Sequence, residues 1–166
     1  QSVEAGVALP GCGGGAGEGG CHDVVSSRWS RWLGVPVAAP AIGTYALALV
    51  GSLVLAGSWS MGLKRRVAAV LLPVALAAMF AGLWFIYLQV GAIGAVCPYC
   101  LVVDGAGIAL GLITVWALTA GKPRPMLATR TSLVGVLVAA LATTALIAGQ
   151  VLLPPGVATS EYKAGN

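Results

Sequence analysis

Four cysteines, and one carboxylate set in an apolar run, are the residues of this chain best suited to chemistry. Cys97-Pro-Tyr-Cys100 is a C-x-x-C pair, and Cys12 and Cys21 are separated by eight residues. At a helix start, unpaired backbone N–H groups and the helix dipole favour thiolate, the attacking species in thiol–disulfide exchange. Pro98 suits such a start, because its missing N–H would have no intrahelical partner. The pair therefore reads as redox-active. Two other uses compete with that reading. All four cysteines could hold zinc, which takes four protein ligands in structural sites; His22 is the only histidine. They could equally form static disulfides. Four cysteines allow three pairings, and sequence alone does not choose among them.

Cys97, Cys100 and Asp104 are spaced i, i+3 and i+7, so a helix over this stretch puts them on one face. An ionisable group inside a membrane segment marks a functional site by default. Asp104 would relay protons to a reduced acceptor, or would be hydrogen-bonded for packing alone. Ser26 and Ser27 follow Cys21 by five and six residues. A hydroxyl there would reach a quinone carbonyl or bond the backbone locally.

The elements that position these residues belong in a bilayer. Apolar residues make up 58% of the chain and charged residues 8%, against about 25% charged in soluble domains. The mean hydropathy is +0.94. Charge-free stretches run from Trp32 to Leu63, Val67 to Val103, Gly105 to Gly121 and Thr131 to Ser160. About 20 apolar residues cross the hydrocarbon core, and a turn marked by Gly91, Gly94 and Pro98 splits the second stretch from its continuation past Asp104. Four spans follow, over residues 40–60, 67–90, 97–119 and 131–152. The expected fold class is an all-α integral membrane helix bundle.

Orientation follows from the basic residues. Lys64, Arg65 and Arg66 lie between spans one and two, and Lys122, Arg124 and Arg130 between spans three and four. Helices that alternate direction put both clusters on one side, which the positive-inside rule makes cytoplasmic. All four cysteines then face the outer side, where disulfides form and persist. The net charge of +4 is thus a topology signal and not a nucleic-acid footprint.

Residues 11–20 contain seven glycines and form a flexible tether that carries Cys12; a loop with an incidental cysteine is the plainer alternative. From Asp23, a candidate N-cap, Val25, Trp29, Trp32 and Leu33 recur at helical spacing. They predict a short interfacial cap helix ended by Pro36 and Pro40. Gly107 and Gly111 form a G-x-x-x-G packing signal, and Pro73 suggests a kink in span two. The chain divides into a cysteine loop and cap helix (1–35), a four-helix bundle (36–152) and a tail or linker (153–166).

One dithiol pair on a mobile outer loop and another at a bundle mouth suggest a relay. The loop pair can meet a soluble thiol protein; the helix pair can meet a lipid-soluble two-electron acceptor, for which a quinone is the natural choice. Electrons would pass between pairs through a mixed disulfide.

The run Cys21-His-Asp-Val-Val-Ser26-Ser27-Arg28-Trp29-Ser30-Arg31-Trp32-Leu33-Gly34, then Pro36 and the distant Cys97-Pro-Tyr-Cys100, resembles the vitamin K epoxide reductase family in its bacterial form. The resemblance covers roughly residues 10–152. It implies that Cys97 and Cys100 are the membrane-embedded active pair, with Cys100 facing the quinone. Cys21 would attack Cys97, and Cys12 would exchange with the partner. Ser27 would occupy the polar position beside the quinone ring, with Trp29 closing the pocket and Asp104 nearby. The implied acceptor is ubiquinone, menaquinone or a related quinone, with no metal. The implied partner is a thioredoxin-like thiol protein, separate or fused after the last helix, and the place is the bacterial inner membrane with the cysteines on the periplasmic side. The resemblance also implies a transmembrane helix before the Cys12 loop, and this chain starts where that helix would be ending. Vertebrate members carry tyrosine where Asp104 stands, so a plain quinone is the expected substrate in place of vitamin K epoxide. A membrane disulfide carrier that never binds quinone, and a structural subunit with static disulfides, are the alternative functions.

Overall fold

A computed structural model describes residues 20–119 and 129–152. Cys12 and its glycine tether, the connection carrying Lys122 and Arg124, and the tail 153–166 lie outside the described residues.

The described chain enters through α1 (Gly20–Ser26) and a 3₁₀ turn (Arg28–Ser30). A two-residue strand pair follows, β1 (Arg31–Trp32) antiparallel to β2 (Val35–Pro36). The single cap helix expected over 23–33 is therefore replaced by three short pieces. Two local forces break it. Ser27 leaves the helix in an extended conformation while its hydroxyl donates to the Val24 carbonyl at 2.7 Å, the competition with backbone bonding that serine offers. Leu33 and Gly34 then take φ of 52° and 81°, the two positive values that close a tight hairpin. Asp23 falls in the first turn of α1, not at its cap. Trp29 and Trp32 turn inward, whereas Val25 and Leu33 are 51% and 62% exposed.

Four long helices make up the remainder: α2 (Ala38–Ala56), α3 (Met61–Tyr87), α4 (Pro98–Thr119) and α5 (Thr129–Leu152). Each is long and apolar enough to cross a bilayer, yet at most 28% of any one's most apolar window is buried in the bundle. Ile42, Val102, Trp116 and Leu141 point outward with 70% or more of their surface exposed. Lipid is the solvent that such a surface suits, and helices satisfy their own backbone within it. The chain is an all-α integral membrane bundle.

α3 is the central helix and touches the other three. Its 27 residues span about 40 Å at 1.5 Å per residue, more than the roughly 30 Å hydrocarbon core. It therefore starts six residues before the charge-free stretch, with Ser60 as N-cap accepting the Leu63 N–H at 3.4 Å. Lys64, Arg65 and Arg66 ride on its first turns, at the end remote from Cys97. The helix runs on through Pro73.

α3 and α4 meet backbone to backbone. A Cβ added at Gly82 would lie 2.6 Å from the Asp104 carbonyl oxygen, and one at Gly107 2.9 Å from the Ala78 oxygen. The G-x-x-x-G of α4 is thus a packing motif, as its sequence suggests. Ala68, Leu72 and Leu76 of α3, Leu118 of α4 and Ala139 of α5 form an apolar core that fills the half of the bundle remote from the cysteines. The buried Gln89, Asp104 and Gln150 lie in the other half.

Candidate functional site

Beyond Tyr87 the backbone of α3 widens into a π-helical turn (Leu88–Ile93), ended by Gly94 at φ 69°. The glycine-marked turn expected from residue 91 thus begins three residues later. α4 starts at Pro98, and Cys97 stands just before it. The Cys97 sulfur accepts the Cys100 N–H at 3.4 Å, as an N-cap side chain does. Cys97 thus stands at the N-terminal edge of α4, while Cys100 and Asp104 lie within it. The Cys97 side chain, 2% exposed, packs against Cys21, 6% exposed, with Val24 and Cys100 at the edge of the contact.

Cys100 borders that contact and also reaches the other side of it. It lines a cavity of about 430 Å³ enclosed by the cap segment, α2, the end of α3 and the start of α4. That volume falls in the range of small-molecule sites, about 300–1,000 Å³. Ser27, Trp29, Gln89 and Asp104 line it too, among mostly apolar neighbours such as Phe85, Leu88 and Val103. Cys97 does not. A second chamber of about 250 Å³ between α2, α3 and α5 shares Asp104, Val103, Phe85, Ala41 and Val37 with the first.

Residues 3–116 match the family model described as the vitamin K epoxide reductase family. The chain belongs to the vitamin K epoxide reductase family. No curated protein and no solved structure matches it. Membership makes the chain a membrane thiol–disulfide oxidoreductase. The match begins upstream of the cysteine loop and stops within α4, so α5 lies beyond it.

Cys21 is disulfide-bonded, and Cys97 and Cys100 are both free. Among the described residues no group of three or more His, Cys, Asp or Glu is placed to hold a metal ion. Ser27 reaches the cavity, but its hydroxyl proton is directed at the Val24 carbonyl. Trp29 packs edge-on to Trp84 at 6.3 Å and carries the Arg28 guanidinium over its ring at 4.2 Å. Asp104 is buried, one turn below Cys100, and its Oδ2 accepts from Gln89 Nε2 at 3.1 Å.

Three contributors are not singled out by sequence. Gln89 also accepts the Cys97 N–H on its Oε1 at 2.9 Å. Gln150 of α5 accepts from Trp84 Nε1 and donates to the Trp29 carbonyl, both at 2.8 Å, which latches the cap onto the bundle. Tyr45 of α2 donates to the Val103 carbonyl at 2.6 Å. The amides carry no charge, so a search for charges inside spans passes over them. One signal was available: Gln89 and Asp104 lie within about two turns of the connection joining α3 and α4, on either side of it, which sets them at similar depth on facing helices.

Proposed function

We propose that the chain oxidises the dithiol of a thioredoxin-like partner and passes the electrons through its two cysteine pairs to a quinone held in the larger cavity. One observation carries the reading: Cys97 is sealed against Cys21 while Cys100, its pair-mate, lines a largely apolar cavity. A pair that only stapled the fold would need neither neighbour.

In the cycle, the partner's thiolate attacks the loop disulfide at Cys12, and resolution leaves the partner oxidised and Cys12 and Cys21 reduced. Cys21 then attacks Cys97 of a Cys97–Cys100 disulfide and releases the Cys100 thiolate. Cys12 resolves the Cys21–Cys97 bond, restoring the loop disulfide and leaving Cys97 and Cys100 reduced. Finally two electrons and two protons move from that pair to the quinone, giving hydroquinone and the Cys97–Cys100 disulfide. Cys100 is the thiol beside the acceptor, and Asp104, on the same wall one turn deeper, is the group placed to exchange a proton with it. Ser27 would donate to a quinone carbonyl by turning its hydroxyl away from Val24, and Trp29 would close the roof. Residues 1–35 act as the partner-facing arm and cap, 36–152 as the quinone-binding bundle and 153–166 as a tail or linker. The site lies at the end of the bundle opposite Lys64, Arg65 and Arg66, which supports a bacterial inner-membrane orientation with the cysteines periplasmic.

The test is reduction of a short-chain quinone by the purified chain in detergent, with a dithiol peptide or a reduced thioredoxin-like protein as donor. Loss of quinone absorbance that disappears in Cys100→Ala is the expected result. Oxidation of the donor with the quinone untouched would make the chain a disulfide carrier instead.

A further inference from the structure

Gln89 is the most completely buried polar side chain described, at 2% exposure, and both ends of its amide are engaged. Its orientation is dictated by its partners. The Cys97 N–H can only donate, so the amide oxygen must face it; the amide nitrogen must then face Asp104, which accepts on Oδ2. At the start of α4 the Cys97 N–H has no intrahelical acceptor, so Gln89 is what satisfies it. The side chain reaches both groups from a π-helical turn, a distortion often found at functional sites.

We propose that Gln89 is a positioning residue: an amide strap that ties the Cys97 backbone to Asp104, so that the seating of Cys97 against Cys21 responds to the charge on Asp104. Asp104 lines the cavity, and a hydrogen bond to a charged carboxylate is roughly twice as strong as one to a neutral group. Gain or loss of a proton at Asp104 therefore changes the pull on Gln89, whose other end holds Cys97. Proton exchange at the cavity is thereby linked to the thiol that meets the loop cysteine. The other titratable or charged groups facing Asp104 or lining the same cavity are Cys100 and Tyr99 of α4, Tyr45 of α2 and Arg31 of β1. α5 brings only uncharged residues, Thr143 among them, to the adjoining chamber.

The inference rests on the relay reading only in taking Cys21–Cys97 as the transfer contact, and its test uses no quinone. In the full chain carrying Cys12→Ala and Cys100→Ala, diamide takes two electrons and two protons from Cys21 and Cys97 and leaves their disulfide. Its rate of formation is followed by mass spectrometry, and each variant is expressed relative to this background at the same pH. Gln89→Leu should slow the reaction about three- to tenfold, the weight of a lost hydrogen bond. Gln89→Glu keeps the shape. In acidic buffer its carboxyl and that of Asp104 share a proton and the rate should match the background. In alkaline buffer both are charged and repel, and the rate should fall about tenfold. Adding Asp104→Asn to Gln89→Glu should restore the alkaline rate. A side chain that merely filled space would give no pH-dependent ratio and no rescue. The proposal is overturned if Gln89→Glu follows the background at every pH, or if Asp104→Asn fails to restore it. A wild-type chain that leaves quinone oxidised would overturn the proposed function and leave these ratios unaffected.

Discussion

Replacing Gln150 by Leu should loosen the cap over the cavity by about 2 kcal/mol, at about 1 kcal/mol for each of two lost hydrogen bonds. Gln150 is 7% exposed and joins three elements: it accepts from Trp84 Nε1 on α3 and donates to the Trp29 carbonyl in the cap, each at 2.8 Å. Leucine fills similar space but bonds neither, leaving an indole N–H and a backbone carbonyl without partners. Trp84 lies within a membrane span, where lipid offers no replacement partner, so about 1 kcal/mol per bond is the lower end of the usual 1–3 kcal/mol penalty per unsatisfied group. At 1.4 kcal/mol per decade, 2 kcal/mol is roughly a 30-fold rise in the population with the cap open. Hydrogen exchange of the cap reports that population, since local opening exposes amides such as Val37, which donates to the Ser30 carbonyl at 3.0 Å. Exchange followed by mass spectrometry on a peptide spanning residues 28–37 should quicken about 30-fold, with the middle of α3 unchanged. Because the cap contributes Ser27, Trp29 and Val37 to the cavity wall, the KM for quinone should rise as well. Unchanged exchange in a folded Gln150→Leu protein would refute the latch.

Two further outcomes follow from the packing and from the relay. Gly82→Ala forces a methyl to 2.6 Å from the Asp104 carbonyl, whereas Gly105→Ala meets nothing within 4 Å. The first should lower the Tm by an overpacking cost of about 1–3 kcal/mol, and the second should hold or raise it; equal Tm values would show that α3 and α4 are not in tight contact at Asp104. Cys21→Ala should strand Cys12 in a mixed disulfide with the partner, detectable by mass spectrometry as a covalent complex, and partner oxidation at the wild-type rate would break the assigned order.

Much of the architecture was legible in the sequence because a bilayer imposes one coarse rule, a long apolar helix, and charges mark its ends. The four spans and the close glycine contact between α3 and α4 follow from that rule. The cap did not follow it. Its helical spacing is real, but serine hydroxyls and a positive-φ Leu33–Gly34 pair are local forces that outweigh a short, weak amphipathic pattern. At the site, residue identity singled out Cys97, Cys100 and Asp104 as candidates but not their surroundings. Cys97 and Cys100 touch but differ in surroundings, because the first sits before the helix against Cys21 and the second within it, bordering both that contact and the cavity, a difference that spacing cannot report. The buried amides were opaque for another reason: Gln89 and Gln150 matter only through partners that the fold brings together.

The central claim is that the membrane pair is divided, Cys97 toward the loop and Cys100 toward the acceptor. The direct measurement compares two proteins oxidised with diamide, one retaining only Cys21 and Cys97 and the other only Cys21 and Cys100. Rapid formation of the Cys21–Cys97 disulfide, with the Cys21–Cys100 pair remaining largely as thiols, is the predicted result. Equal or faster bonding of Cys21 to Cys100 would contradict the account.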